Sequence, residues 1–151
     1  MKTNRTLLTV AALAAVQLFA PPLAAQDKKI ETANLDAAVA ANPLPAGGPT
    51  AKVISSTRAG NSELQIIRMS KIRLHHHAQE DHVVYVARGS GTARLENDAG
   101  QIESRPAKPG DIFNLPRNKK HAFERSGAED LVLLVVATAG WKPLEDTVFH
   151  E

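Results

Sequence analysis

Ile72-Arg73-Leu74-His75-His76-His77 and, after Ala78-Gln79-Glu80-Asp81, His82-Val83-Val84-Tyr85-Val86 form the stretch whose reading decides the fold. Four of the six histidines lie between positions 75 and 82. Their flanks are rich in β-branched and aromatic residues, which favour strands. The short polar segment Ala78–Asp81 reads as a hairpin connection, so the two strands are expected to be antiparallel neighbours. Side chains alternate along a strand, which puts His75 and His77 on one face and His76 on the other. On the returning strand His82 shares a face with Val84 and Val86. If that face points inward, three imidazoles converge across one strand pair, each offering a neutral ring nitrogen to a metal. His121 would be the fourth.

The 151 residues, 43% of them hydrophobic, suffice for one compact core and a single domain. Cysteine is absent, which excludes disulfides and thiolate ligands, so a metal site has to be built from histidine and carboxylate. Residues 1–25 read as a signal peptide, with Lys2 and Arg5 as the positive region, Leu7 to Ala20 as the apolar run and Leu23-Ala24-Ala25 before a cleavage site ahead of Gln26. The apolar run is short for a membrane span and closes at Pro21-Pro22, so export to the periplasm or beyond is expected, with no stable membrane anchor after cleavage. Removing Lys2 and Arg5 from the 18 basic residues leaves 16 against 16 acidic ones. A chain so balanced gives no electrostatic reason to expect nucleic acid or an anionic membrane as partner.

From Asp27 to Asn42 the chain is polar and alanine-rich, with Ile30, Leu35, Ala38 and Val39 at loosely helical spacing, so a short helix or extended segment is expected. Pro43, Pro45, Gly47, Gly48 and Pro49 form a linker. The expected division is therefore 26–50 for this segment and linker, 51–140 for a β-barrel and 141–151 for a C-terminal tail. Strands are expected at 52–56, 62–69, 71–77, 81–88, 91–96, 101–105, 111–115, 121–126 and 130–138, separated by turn signals such as Gly89-Ser90-Gly91 and Asn97-Asp98-Ala99-Gly100. Leu131 to Val136 is apolar at every position, as in a strand buried on both faces. This is the pattern of an all-β sandwich or barrel.

The chain resembles the cupins, jelly-roll β-barrel proteins. Their first motif has the form G-x5-H-x-H-x3–4-E-x6-G, and Met69, His75, His77, His82 and Gly89 stand at those places; their second, G-x5-P-x-G-x2-H-x3-N, is matched by Gly110, Pro116, Asn118, His121 and Arg125. The resemblance implies an all-β, single-domain jelly-roll barrel holding a divalent transition metal (Fe, Mn, Ni, Cu or Zn) through His75, His77, His82 and His121. Met69, Asn118 and Arg125 depart from the pattern, and His82 replaces its glutamate. Asn tolerates the left-handed backbone that a glycine at position 118 would adopt. An imidazole in place of a carboxylate leaves the ion's charge less neutralised and removes a built-in base. Glu80 is the alternative ligand if the register differs.

His76 is expected to face away, His150 to be solvated in the tail, and Tyr85 and Trp141 to pack rather than meet a substrate. Asn114 and Arg125 reach the site only if they face inward. Three functions fit: an oxygenase acting on a small chelating organic substrate, a non-redox isomerase, cyclase or lyase, and a small-ligand or metal-binding module without turnover. The shortage of acid and base residues around the histidines favours oxidation or ligand binding over proton-shuffling chemistry, and the oxygenase ranks first of the three. A homodimer is expected from the weakly amphipathic N-terminal stretch and from exposed sheet edges that need cover.

Overall fold

The computed structural model describes residue 30 and residues 32–150; the expected signal peptide lies outside the described residues. Helix α1 (Leu35–Ala41) begins at Asn34, whose side-chain oxygen accepts from the Ala37 N–H at 2.9 Å. That cap satisfies one of the amides a helix start leaves unpaired, which is why a helix opens here. Ten strands follow among the described residues: β1 (Ala51–Ala59), β2 (Ser62–Met69), β3 (Lys71–His77), β4 (His82–Arg88), β5 (Gly91–Glu96), β6 (Ile102–Ala107), β7 (Ile112–Leu115), β8 (His121–Arg125), β9 (Leu131–Thr138) and, after the short helix α2 (Pro143–Asp146), β10 (Thr147–Phe149). All nine expected strands are present. The tail expected at 141–151 instead supplies α2 and β10.

The strands form two antiparallel sheets, ordered β1-β2-β9-β4-β7 and β10-β3-β8-β5-β6, in the jelly-roll manner. The hairpin expected between β3 and β4 does not exist. Both edges of β3 are occupied, by β8 and β10, and both edges of β4 by β7 and β9. Ala78–Asp81 therefore crosses from one sheet to the other. Its path is pinned on both sides: Asp81 accepts from the Arg117 backbone N–H at 2.8 Å and pairs with its guanidinium, while the Ala78 and Gln79 amides donate to Asp146. Asn118 is held at φ 62 with its N–H donating to the His77 carbonyl at 2.7 Å. The left-handed backbone required at the second motif's glycine is thus adopted by asparagine.

The inner faces pack on one another through Val86, Leu131 and Leu133, all 1% exposed or less, and Phe113 meets Phe123 edge to face across the sheets at 5.4 Å. Met69, at the place of the first motif's opening glycine, belongs to this core. The expectation for β9 holds for one face only. Leu131, Leu133 and Val135 point inward and are buried, but on the outer face burial fades from Val132 to Val136, which is 41% exposed. Val132 sits in register between Arg68 and Arg88, the residues that hold α1. Arg68 donates to the Val39 and Asn42 carbonyls, Arg88 pairs with Asp36, and the helix shields only that end of the sheet.

Candidate metal centre

His75 lies opposite His121 on neighbouring strands β3 and β8, with ring centroids 4.3 Å apart. A β-bulge between Ile72 and His75 makes this pairing possible: Ile72 is paired with Phe123, so Arg73 and Leu74 on β3 stand against Ala122 alone on β8. The bulge brings His75 onto the inner face that Ile72 already occupies, and His77 follows two residues on. His82 enters from the other sheet at the start of β4, its ring 4.3 Å from that of His77. All four histidines are buried, 3–4% exposed, whereas His76 faces the outside, half-buried.

One ring nitrogen from each of His75, His77 and His121 lies within 4.8 Å of the other two. Glu80 does not join this set; its carboxylate accepts from the Thr138 amide at 3.2 Å. His82 does not join it at that distance either, but its Nε2 is buried without a hydrogen-bond partner among the described residues. A buried polar atom left unpaired costs about 1–3 kcal/mol, so a nitrogen in this position is one that a ligand would satisfy.

The tautomers follow from what the other nitrogens touch. His75 Nδ1 is 2.8 Å from the Arg73 carbonyl and His121 Nδ1 is 3.0 Å from the Lys119 carbonyl. Carbonyls only accept, so both Nδ1 atoms carry the proton and both Nε2 lone pairs are left for the cluster. His77 Nδ1 lies 3.3 Å from Thr147 Oγ1 and 3.7 Å from the buried Asp146 carboxylate, which orients its Nε2 in the same sense. Burial, reinforced by neighbouring imidazoles, pushes His77 down to about 2 and His121 down to about 3, and burial lowers His75 and His82 as well. The rings are therefore neutral near pH 7, the state in which imidazole binds metal. Residues and arrangement fit a divalent transition ion.

Trp141 closes one side. Its ring stands edge-on to His82 at 4.4 Å and to His77 at 5.0 Å, while Nε1 donates to Asp146 at 3.0 Å. It packs, as expected, but it packs on the site itself and lines the cavity beside it. That cavity, about 350 Å³, runs between the sheets and is lined mainly by apolar residues such as Ile67, Met69 and Leu133, together with Gln65 and the four histidines. Asn114 and Arg125 do not line it; both are exposed, and Arg125 pairs with Asp130. His150 is not solvated: it is half-buried, with Nε2 2.8 Å from His76 Nδ1. Tyr85 points outward and is 40% exposed. The sequence reading missed Asp146, Thr147 and Gln65. A strand signal was present in Thr147-Val148-Phe149, behind a helix start at Pro143.

The cupin-domain family model matches residues 68–137, the segment that carries all four histidines. Residues 68–137 are a cupin domain. Acireductone dioxygenases of Bacillus cytotoxicus and Bacillus mycoides are each 30% identical to this protein over 71 residues, covering 46% of this chain and 42% of theirs. It thus spans less than half the length of the curated relatives it matches. Among solved structures, the oxalate decarboxylase of Bacillus subtilis at pH 4.6 superposes with a TM-score of 0.52 at 21% identity, over 59% of this chain and 24% of that chain. The formate complex of the Lactobacillus farciminis enzyme gives 0.51 at 18%, over 59% and 26%. At these identities the likeness is one of fold.

Proposed function

We propose that this protein binds one divalent transition ion through His75, His77, His121 and His82, and that it is an oxygenase acting on a small chelating organic substrate. The observation that carries the reading is the convergence of three buried, neutral imidazoles whose Nδ1 atoms are tied elsewhere. The partial likeness to acireductone dioxygenases supports the choice of oxygenase. When bound, the ion would polarise a chelated oxygen and, if redox-active, bring substrate and O2 together. The chain's own part is to hold the rings, exclude water with apolar walls and Trp141, and leave open positions: an octahedral ion with four nitrogens has about two left for a bidentate ligand. Glu63, buried on β2 in the sheet opposite the three clustered histidines, is committed to Arg58, Gln65 and Gly140, which speaks against a freely shuttling carboxylate.

Elemental analysis tests the ligands. His75→Ala, His77→Ala, His121→Ala and His82→Ala each lower bound metal, and His76→Ala does not; a His76 variant depleted beside a full His77 variant refutes the set. Turnover of a panel of chelating substrates with and without O2 tests the chemistry. Product formed equally well anaerobically, or with zinc in the site, discards the oxygenase in favour of a Lewis-acid enzyme. Tight ligand retention with no product favours a binding module. We further propose export, on the pattern of residues 1–25. Mass spectrometry of native protein then finds an N-terminus near Gln26, and recovery of the intact Met1 form overturns it.

A further inference from the structure

Besides His82 Nε2, the buried side-chain polar atom without a hydrogen-bond partner among the described residues is Oε1 of Gln65. Gln65 is 4% exposed and lines the cavity with the histidines. It sits on β2 in register with Ser56 of β1 on one side and with Val135 of β9, in turn paired with Val84 of β4, on the other, so its neighbours toward the centre of the sheet are apolar. An unsatisfied acceptor in such a wall is a standing cost unless something brings it a donor.

The direction of the amide is set from behind. Gln65 Nε2 donates to Glu63 Oε1 at 3.1 Å, and the other oxygen of Glu63 accepts from Arg58 Nε at 2.9 Å and from the Gly140 amide at 3.3 Å. Glu63 is itself buried, and these donors, that of Gln65 foremost, hold its carboxyl below the usual range. It is therefore an anion that only accepts. Turning the Gln65 amide over would set its carbonyl oxygen against that carboxylate and replace an attraction by a repulsion. Nε2 is thus kept toward Glu63, and Oε1 is left as the unpartnered group of the wall.

We propose that Gln65 determines specificity: its carbonyl oxygen accepts from a hydroxyl or N–H of the chelated substrate, so the site takes chelators that carry a donor and disfavours acceptor-only dianions. This rests on the reading of the histidine cluster as a metal centre that binds chelators. A site built to hydrogen-bond a substrate group rejects the analogue that lacks it, because its own buried partner is then left unpaired. An acceptor-only dianion offers no donor to Oε1 and leaves it unpaired.

The test uses nickel-loaded protein and two matched pairs of chelators whose extra donor stands at different distances from the chelating oxygens. One pair is kojic acid and allomaltol, differing by a hydroxyl; the other is benzohydroxamic acid and its N-methyl derivative, differing by an N–H. Calorimetric titration is expected to show wild-type preference of about fivefold to tenfold for the donor-bearing member of at least one pair. Gln65→Met binds both members equally, with nickel content unchanged. Glu63→Gln, which frees the amide to turn, narrows the preference, and it decides alone if Gln65→Met loses nickel. Both pairs bound with no preference that depends on these variants overturns the inference and leaves the metal centre standing. Failure of nickel-loaded wild type to bind any of the four overturns the chelating centre and this inference with it.

Discussion

Acid should unfold the metal-free protein through its own buried histidines. An unfolded imidazole takes up a proton near pH 6.5, whereas folded His77 stays neutral down to about 2 and folded His121 down to about 3. Below 6.5 the unfolded state binds more protons, so stability falls as pH falls, and the loss for each group ends only at its folded value. Each such group costs about 1.4 kcal/mol per pH unit, so descending to about pH 4.5 removes about 3 kcal/mol for each of the two. Their sum is comparable with the low end of a domain's stability, about 5 kcal/mol. Urea titrations of chelator-treated protein between pH 7 and pH 4.5 measure this directly. In His121→Gln one of these groups is gone, and the slope of stability against pH below about 6 falls by about 1.4 kcal/mol per unit. A wild type equally stable across the range, or a variant with unchanged slope, refutes the reasoning.

Asp146→Asn removes one acceptor from a carboxylate that serves both Trp141 Nε1 and the Gln79 amide. It should destabilise by about 1–3 kcal/mol and, through the orientation of His77, weaken metal binding by about 10- to 100-fold in a chelator competition; unchanged affinity refutes the orienting role. Gly91→Ala should be severe, because its Cβ would stand 2.2 Å from the Glu124 carbonyl oxygen, a backbone atom that cannot swing aside. A loss of about 2 kcal/mol or more is expected by urea titration. Gly127→Ala, which meets nothing within 4 Å, should stay within about 0.5 kcal/mol. The outer face of the β9 sheet leaves Val83, Tyr85, Ile112 and Val136 each at least 40% exposed, and we place the expected homodimer there. Light scattering should give twice the chain mass for wild type and the monomer mass for Ile112→Asp; a monomeric wild type at high concentration refutes it.

Strand alternation is a local property of the chain, and it was enough to separate His75 and His77 from His76, to place the nine strands from β1 to β9, and to mark His121 through the spacing of a second motif. The left-handed turn at Asn118 was legible for the same reason, since it depends on one residue's backbone preference. Which strands become neighbours is not local. Ala78–Asp81 has the composition of a hairpin turn, yet β3 and β4 part into different sheets because each finds both of its edges taken by strands far along the chain. His82 consequently reaches His77 across the barrel and not along one strand pair. The residues that finish the site, Asp146 and Thr147 behind His77, Trp141 against two of the rings, and Gln65 aimed by Glu63, come from segments with no motif around them. Their chemistry exists only where folding has removed water and brought separate strands face to face, because a hydrogen bond or an unpaired oxygen acquires its energetic weight from burial, and burial is decided by the whole chain.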